Sequence, residues 1–406
     1  MFFPRFVEER PRVLLILNTW FHFELVLPWC AFFLRGGCRV EITGQFILSA
    51  PDRIQRIKDV FVDQPVTILP DIVVSRHVET GEIVTTGLRT TQYLTWEKDG
   101  HPSRYKALVL LSYYPHWPVP FLPAEKHKTP FLLVTHTTSR HPWNPEISLP
   151  HPHWEYIVVR NIPWGYIPTS HGPRVDQVVT IPPWCITMLG ISQQACDRVE
   201  AWTSTRERRI LVQGRLMITH RAYRLLLDAL SLLDDGVRRR LKVLLMGSRC
   251  PSSGSVDHLL ARYPAEVRAV VEVVPDRNEQ EFSRIMTAFP HVLLDAVDRK
   301  IIHRERYAVD RMTSTFSWSA FHAIPVLTHS VLALRYSPHV LLQYDDHIHT
   351  VVSMFKTLVD LPDAVYLEAV ERIVNATLAV EESNHAVLQG IMRPGGEEPA
   401  EQAGSS

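Results

Sequence analysis

Five apolar, β-branched runs lie between Arg209 and Ser330, each ending in a small or polar residue and each followed by an amphipathic or cap-rich stretch. They are RILVQGR (209–215), KVLLMGS (242–248), VVEVVP (270–275), VLLDAV (292–297) and PVLTHS (325–330). Near-continuous apolar runs are the mark of strands buried on both faces, and their spacing leaves room for helical crossovers. The second half is therefore predicted to be a parallel sheet covered by helices on both sides. In open sheets of this type ligands bind beyond the carboxyl ends of the strands. Gly214-Arg215, Gly247-Ser248 and the stretch from Thr313 to Ser317 are thus expected to converge on one crevice suited to a phosphate-bearing ligand.

The first half carries its own series: RVLLILN (12–18), RVEI (39–42), VTIL (66–69), ALVLLS (107–112), FLLVTH (131–136) and YIVVR (156–160). Helical patterns fill only some of the gaps. After Arg160 the chain reads NIPWGYIPTSHGPRVDQVVTIPPW, rich in Pro, Gly and Trp with no sustained period, which is the composition of a linker or crossover. At 406 residues the chain has room for two domains. The reading is a first α/β domain over 1–175, a linker over 176–206, a second α/β domain over 207–370, a C-terminal helix over 371–391 and a tail over 392–406.

Tyr223, Leu226, Leu230 and Leu233 form a helical stripe within 221–233. Behind Pro362, Asp363 opens a long periodic segment to Leu388, with Glu368, Glu371, Glu381 and Glu382 expected on a wet face and the helix expected to cross back to the first domain. The final PGGEEPAEQAGSS (394–406) has too few apolar residues to offset the entropy of ordering, and is expected to be disordered.

Lys and Arg balance Asp and Glu at 43 each, which excludes the basic excess of a general nucleic-acid binder. Cys30, Cys38, Cys185, Cys196 and Cys250 are odd in number and have no CxxC spacing, as expected of reduced thiols in a cytoplasmic protein. His136, His141, His151, His153 and His171 crowd one proline-broken segment without a zinc-ligand pattern, so no metal is assigned. Val13–Leu34 is long enough to span a membrane but is interrupted by Asn18, His22, Glu24 and Pro28. A strand over 12–17, a loop over 18–23 and a helix over 24–35 account for it better, leaving room for peripheral membrane contact only. Gly36-Gly37 is the expected C-cap of that helix.

The loop before that helix places His22 and Glu24 at a helix N-terminus, where a carboxylate caps and a histidine serves as a base. Gly214 allows close approach to the backbone and Arg215 suits bidentate contact with phosphate. Gly247 and Ser248 end the next strand, while Thr313, Ser314, Thr315 and Ser317 cluster at a helix start, itself an anion site. Simple capping in a structural α/β protein explains the same residues. Asp345-Asp346 is read as the cap of a helix running through 351–358.

The segments ERRILVQGRLMITHRAYRLLLDAL (207–230), KVLLMGS and TSTFSWSAFHAIPVL (313–327), with the late helix bearing Asn384, resemble the donor domain of GT-B glycosyltransferases. The first half, with a His-bearing first loop, LRGGCRV (34–40) and FLLVTH (131–136), resembles their acceptor domain. The resemblance implies two Rossmann-like domains facing across a cleft, and transfer of a sugar from a UDP- or GDP-linked donor to a glycan or other hydroxyl acceptor. It needs no metal and no cofactor beyond the donor. It places Gly214 and Arg215 on the donor diphosphate, Thr313, Ser314 and Thr315 at the phosphate-facing helix start, and His22 or His136 near the transferred sugar. Many retaining members carry two glutamates eight residues apart; here those positions hold Asp310 and Trp318. A catalytically inactive GT-B-like binding protein, or an epimerase or hydrolase on the same scaffold, are the competing readings.

Overall fold

The computed structural model describes residues 10–17, 23–44, 50–69, 72–77, 92–96, 104–113, 121–122, 131–135, 157–160, 177–180, 191–214, 216–219, 221–247, 256–275, 279–304, 314–334 and 336–392. In chain order the strands of the first half are β1 (Arg12–Leu17), β2 (Arg39–Thr43), β3 (Val66–Ile68), β4 (Val73–His77), β5 (Gln92–Trp96), β6 (Ala107–Tyr113), β7 (Phe121–Leu122), β8 (Phe131–Thr135), β9 (Ile157–Arg160) and β10 (Gln177–Thr180). Five of them make a parallel sheet in the order β3-β2-β1-β6-β8. The central β1 is buried from Val13 to Leu17, which is why its sequence is apolar without alternation. A small sheet β4-β5-β7 and the antiparallel pair β9-β10 form separate hydrogen-bonded sheets, with β9 lying close beside β8.

The crossover from β1 to β2 is the helix Val26–Arg35, preceded by a single 3-10 turn over Phe23–Leu25. Its end is set by Gly37, whose φ of +78° only glycine adopts freely. The amide of Gly37 donates to the carbonyl of Leu34 and that of Cys38 to the carbonyl of Phe33. This double closure satisfies the last orphan carbonyls and returns the chain into β2.

The second half holds β11 (Arg208–Gln213), β12 (Leu241–Gly247), β13 (Val271–Pro275), β14 (Val292–Leu294), β15 (Val326–His329) and β16 (Val340–Tyr344). All six are parallel, in the order β13-β12-β11-β14-β15-β16. Five of these strands lie in the five apolar runs; β16 is the addition. Both sheets are doubly wound, and the direction of winding reverses beside β1 in the first and β11 in the second. The fold is thus two Rossmann-like α/β units. In the second sheet Ile210, Val212, Val243, Leu245, Val292, Leu294 and Leu327 face one core, with the helices Tyr223–Leu232 and Ile348–Val359. Leu211, Leu244, Met246, Leu293 and Val326 face the other, with Phe316, Trp318 and Phe321 of the helix Ser314–His322.

Part of the expected linker is regular. Ile191–Thr203 is a helix that belongs to the packing of the second sheet. Ile191, Arg198 and Trp202 share one helical face and are buried. Trp202 stacks on Tyr366 with centroids 4.0 Å apart and donates from Nε1 to Asp363 Oδ1 at 2.8 Å. Arg198 donates to the carbonyls of His322, Pro290 and Met286.

The long helix Asp363–Met392 buries Tyr366, Val370 and Val374 in the second core and then reaches the first unit. There Arg35 Nη2 donates to Glu381 Oε2 at 3.0 Å and the His385 ring stacks on Phe32 at 4.0 Å. Glu381, expected on the wet face, is only 2% exposed, because Arg35 supplies its counter-charge. A second bridge runs from the helix Pro51–Val60, whose buried Arg56 lies 5.3 Å from the rings of both Phe282 and Trp318. Trp318, where an acidic donor contact was considered, is therefore an apolar partner of the first unit. No helix among the described residues is long and apolar enough to cross a membrane.

Candidate functional site

The reversal of winding between β11 and β14 makes the carboxyl edge of these strands the expected binding crevice. Three adjacent strands change character at the same place. Gln213 on β11, Asp295 just after β14 and Thr328 on β15 are the last residues pointing to the face that holds Leu211, Leu293 and Val326. All three are buried. An apolar run that ends in a polar side chain on the same face in three neighbouring strands gives a polar row at the mouth of an apolar sheet.

Thr315 closes the row from above. Its hydroxyl donates to Asp295 Oδ1 at 3.2 Å and accepts from Gln213 Nε2 at 3.4 Å. Tyr344, at the end of β16, donates its hydroxyl to the Asp295 carbonyl at 2.8 Å. Burial, and then the Asp295 charge, push the Tyr344 phenol well above its ordinary value, so it stays a donor.

Arg221 completes the arrangement. It pairs as an isolated bridge with Val297, and the Ala222 amide donates to the Ala296 carbonyl at 2.8 Å. These contacts carry the guanidinium over the strand ends, where Nη1 lies 3.8 Å from Asp295 Oδ1. Gly214 explains the fit: a Cβ there would lie 2.4 Å from Arg221 Nη2, and its φ is +119°. Glycine at this strand end is therefore required twice, by its backbone angle and by the guanidinium packed against it. Among the described residues Arg221 Nη1 and Thr328 Oγ1 make no hydrogen bond although both are buried. The switch point thus presents a fixed cation, a buried carboxylate that orients it, and the start of the helix Ser314–His322 with its partial positive charge.

The residues expected from sequence divide as follows. Gly214 and Gly247 end β11 and β12, with Gly247 at φ +156°. Thr315 and Ser317 are buried in the first turns of the helix that Ser314 opens, and Thr315 spends its hydroxyl on the sheet. Glu24 lies in the 3-10 turn before the first helix. His22, His136, Arg215, Ser248 and Thr313, and the side chains of Glu24 and Ser314, lie outside the described residues. So do Asp310 and the histidine-rich segment, and the described residues hold no group of three side chains able to bind a metal ion. Arg221, Asp295, Gln213 and Thr328 were not singled out from sequence.

Asp345 and Asp346 are not helix caps. The helix starts at Ile348 without a side-chain cap, and the Thr350 hydroxyl serves the turn instead. Ser330 donates to Asp345, and His329 Nε2 lies 3.3 Å from Asp346. His329 Nδ1 accepts from the Val331 amide, so Nε2 carries the proton given to Asp346. The two carboxylates are consumed in tying β16 to the turn after β15.

No protein-family model matches the chain, and no curated protein matches it. Among solved structures it is similar to the Candida albicans trehalose-6-phosphate phosphatase N-terminal domain, at 10% identity and a TM-score of 0.47, over 95% of this chain and 97% of that one. It is similar to α,α-trehalose 6-phosphate synthase from Burkholderia multivorans at 9% identity and a TM-score of 0.47, over 95% and 98%. It is also similar to Anabaena HepE in complex with UDP, at 9% identity and a TM-score of 0.44, over 93% and 100%.

Proposed function

We propose that the chain is a glycosyltransferase that takes a UDP- or GDP-linked sugar and passes the sugar to a hydroxyl acceptor. The observation that carries the reading is the Arg221–Asp295–Thr315–Gln213 network at the switch point of the second sheet. A guanidinium held by a carboxylate at one end offers its remaining donors to a dianionic group at the other, and the nearby helix start adds backbone amides. Developing negative charge on a leaving diphosphate is stabilised by such preorganised donors. The resemblance of 207–230 and 313–327 to the donor segments of GT-B enzymes supports sugar transfer over other uses of the crevice. Arg215 joins Arg221 on the diphosphate, with Gly214, Gly247, Ser248, Thr313, Ser314 and Ser317 around it. His22, Glu24 or His136 serves as the acceptor base, without a metal, in a cytoplasmic protein.

Calorimetry with UDP and GDP tests the donor half of this reading. Arg221→Ala and Arg215→Ala are each expected to weaken nucleotide binding by on the order of ten- to a hundredfold, the loss of a charged hydrogen bond. Nucleoside diphosphate release from a panel of nucleotide sugars tests turnover, and His22→Ala is expected to lower kcat by about 10²–10⁴ with donor binding retained. Nucleotide binding without release from any donor would favour a binding protein; no binding at all would remove the reading.

A further inference from the structure

A buried arginine of the first unit is held among aromatic rings of both units. Arg56 lies on the helix Pro51–Val60, where it and Ile57 are the buried residues, and it is 1% exposed. Its guanidinium lies 5.8 Å from the centroid of the Phe23 ring in the first unit and 5.3 Å from those of Phe282 and Trp318 in the second. Phe282 and Trp318 also meet each other, with centroids 5.2 Å apart. Arg53, one turn earlier, covers Phe23 at 5.4 Å.

Each ring belongs to an element that leads to the crevice. Phe23 opens the turn Phe23–Leu25, beyond the carboxyl end of β1 and at the entry to the first crossover helix. Trp318 stands one turn after Thr315 on the helix Ser314–His322, and Thr315 holds Asp295 and Gln213 in the polar row. Phe282 lies on the helix Glu279–Ala288, between β13 and β14. One side chain therefore joins the carboxyl edge of the first sheet to the helix that closes the polar row of the second.

Sealing apolar surfaces does not call for this residue. A leucine or methionine would fill the space without taking a charge out of water, and a buried charge is a weak source of stability. What arginine adds is direction, because a planar cation is attracted to the faces of rings and stacks on them. Sliding one unit past the other would carry the rings off the guanidinium. We propose that Arg56 is a positioning residue that fixes the spacing of the two units across the crevice. Its consequence for catalysis rests on the transferase reading, since a sugar passed between the units needs both sides held to within about 1 Å.

Nucleoside diphosphate release from UDP- and GDP-sugars, calorimetry with UDP and GDP, and hydrogen exchange of the full chain test the proposal together. In Arg56→Met, kcat is expected to fall on the order of a hundredfold, the cost of about 1 Å of misplacement, while nucleotide affinity stays unchanged because its contacts lie in the second unit. Arg56→Lys keeps a cation among the rings and is expected to recover part of that loss. Phe282→Leu removes one ring on the far side, leaves Arg56 in place, and is expected to lower kcat less but in the same sense. Exchange in Arg56→Met is expected to quicken both over 23–27 and over Glu279–Ala288, and to stay unchanged in the helix Tyr223–Leu232. Turnover unchanged in Arg56→Met, or kcat and nucleotide affinity falling together, would overturn the proposal. A parent protein that neither binds nucleotide nor releases diphosphate would remove the transferase reading alone. Exchange then decides the contact, and quickening confined to one unit, or none, overturns it.

Discussion

The two sheets share one winding and distribute their polar groups in opposite ways. The second sheet keeps its polar row at the carboxyl edge, where Gln213, Asp295 and Thr328 are buried side by side. Among the described residues of the first, β1 ends in Ile16 and Leu17, β6 runs apolar through Leu111, and Thr43 on β2 is a buried polar exception. At the amino edges the contrast reverses. The second sheet has its own arginines there, but Arg208 donates to the carbonyls of Trp202 and Thr205, Arg209 to Glu207, and Arg240 to Asp360 and Val359. The first sheet sets three arginines around one buried carboxylate, Glu41, with Arg39 also donating to Thr67 and Arg104 to the Tyr105 hydroxyl. One architecture thus carries a buried polar row at the carboxyl edge of one unit and a cluster of arginines at the amino edge of the other, because strand direction fixes the scaffold while the residues at the strand ends fix its chemistry.

The largest test of that contrast is Asp295→Ala. Asp295 is fully buried, and its loss strands Arg221 and the Thr315 hydroxyl at the strand ends. Removing one partner of a buried pair costs about 3–5 kcal/mol. Urea unfolding is expected to show that loss, and any nucleotide affinity is expected to go with it. A smaller effect would mean that the row is hydrated and contributes little to the fold. Gly214→Ala is next. The new Cβ meets the guanidinium and the backbone sits at φ +119°, a strain of about 1–3 kcal/mol. Its signature is a loss of ligand affinity as Arg221 is displaced, measured by calorimetry; stability falling alone would detach Arg221 from the ligand. Across the units, Glu381→Gln weakens the contact with Arg35, at about 1–3 kcal/mol. Hydrogen exchange is expected to rise in the last turns of the 363–392 helix and not in the helix 223–232.

Much of this was readable in the chain. Continuous apolar runs mark central parallel strands, and the Gly36-Gly37 pair marks a helix end, since both signals are local. The helix Ile191–Thr203 was hidden because it follows a proline-rich stretch and buries an arginine, Arg198, which binary patterning reads as solvent-facing. Glu381 was misread for the same reason: its partner Arg35 is 346 residues away. The glycines at the strand ends were legible, and the polar terminators LVQ, LLD and VLT were visible as well, but their alignment depends on the strand order β11-β14-β15. Arg221 stands eight residues after Gln213, and only the bridge to Val297 brings it back over the strand ends.

The smallest effect concerns pH, and again separates the units, because the buried neutral histidines lie in the second. His339 donates from Nδ1 to Ser319 Oγ at 2.9 Å, since that hydroxyl spends its own proton on the Ile324 carbonyl. Its Nε2 has no hydrogen-bond partner among the described residues. Burial, with Arg372 as a lesser cause, holds its pKa down at about 3, and burial does the same to His291. His322 is pushed well below its usual value by burial and by Arg198 and Arg56. Each group takes up a proton near pH 6.5 when unfolded and only far below that when folded. The unfolded state therefore binds more protons in this window, and stability, complete above about pH 6.5, falls as the pH drops towards 3. One such group removes about 1.4 kcal/mol for each pH unit below 6.5. His339→Asn keeps a donor for Ser319 and cannot titrate. Its urea midpoint at pH 5.5 is expected to fall less from its pH 7.5 value than that of the parent, by one group's share. An identical drop in both proteins would mean that His339 is hydrated and charges in the folded state.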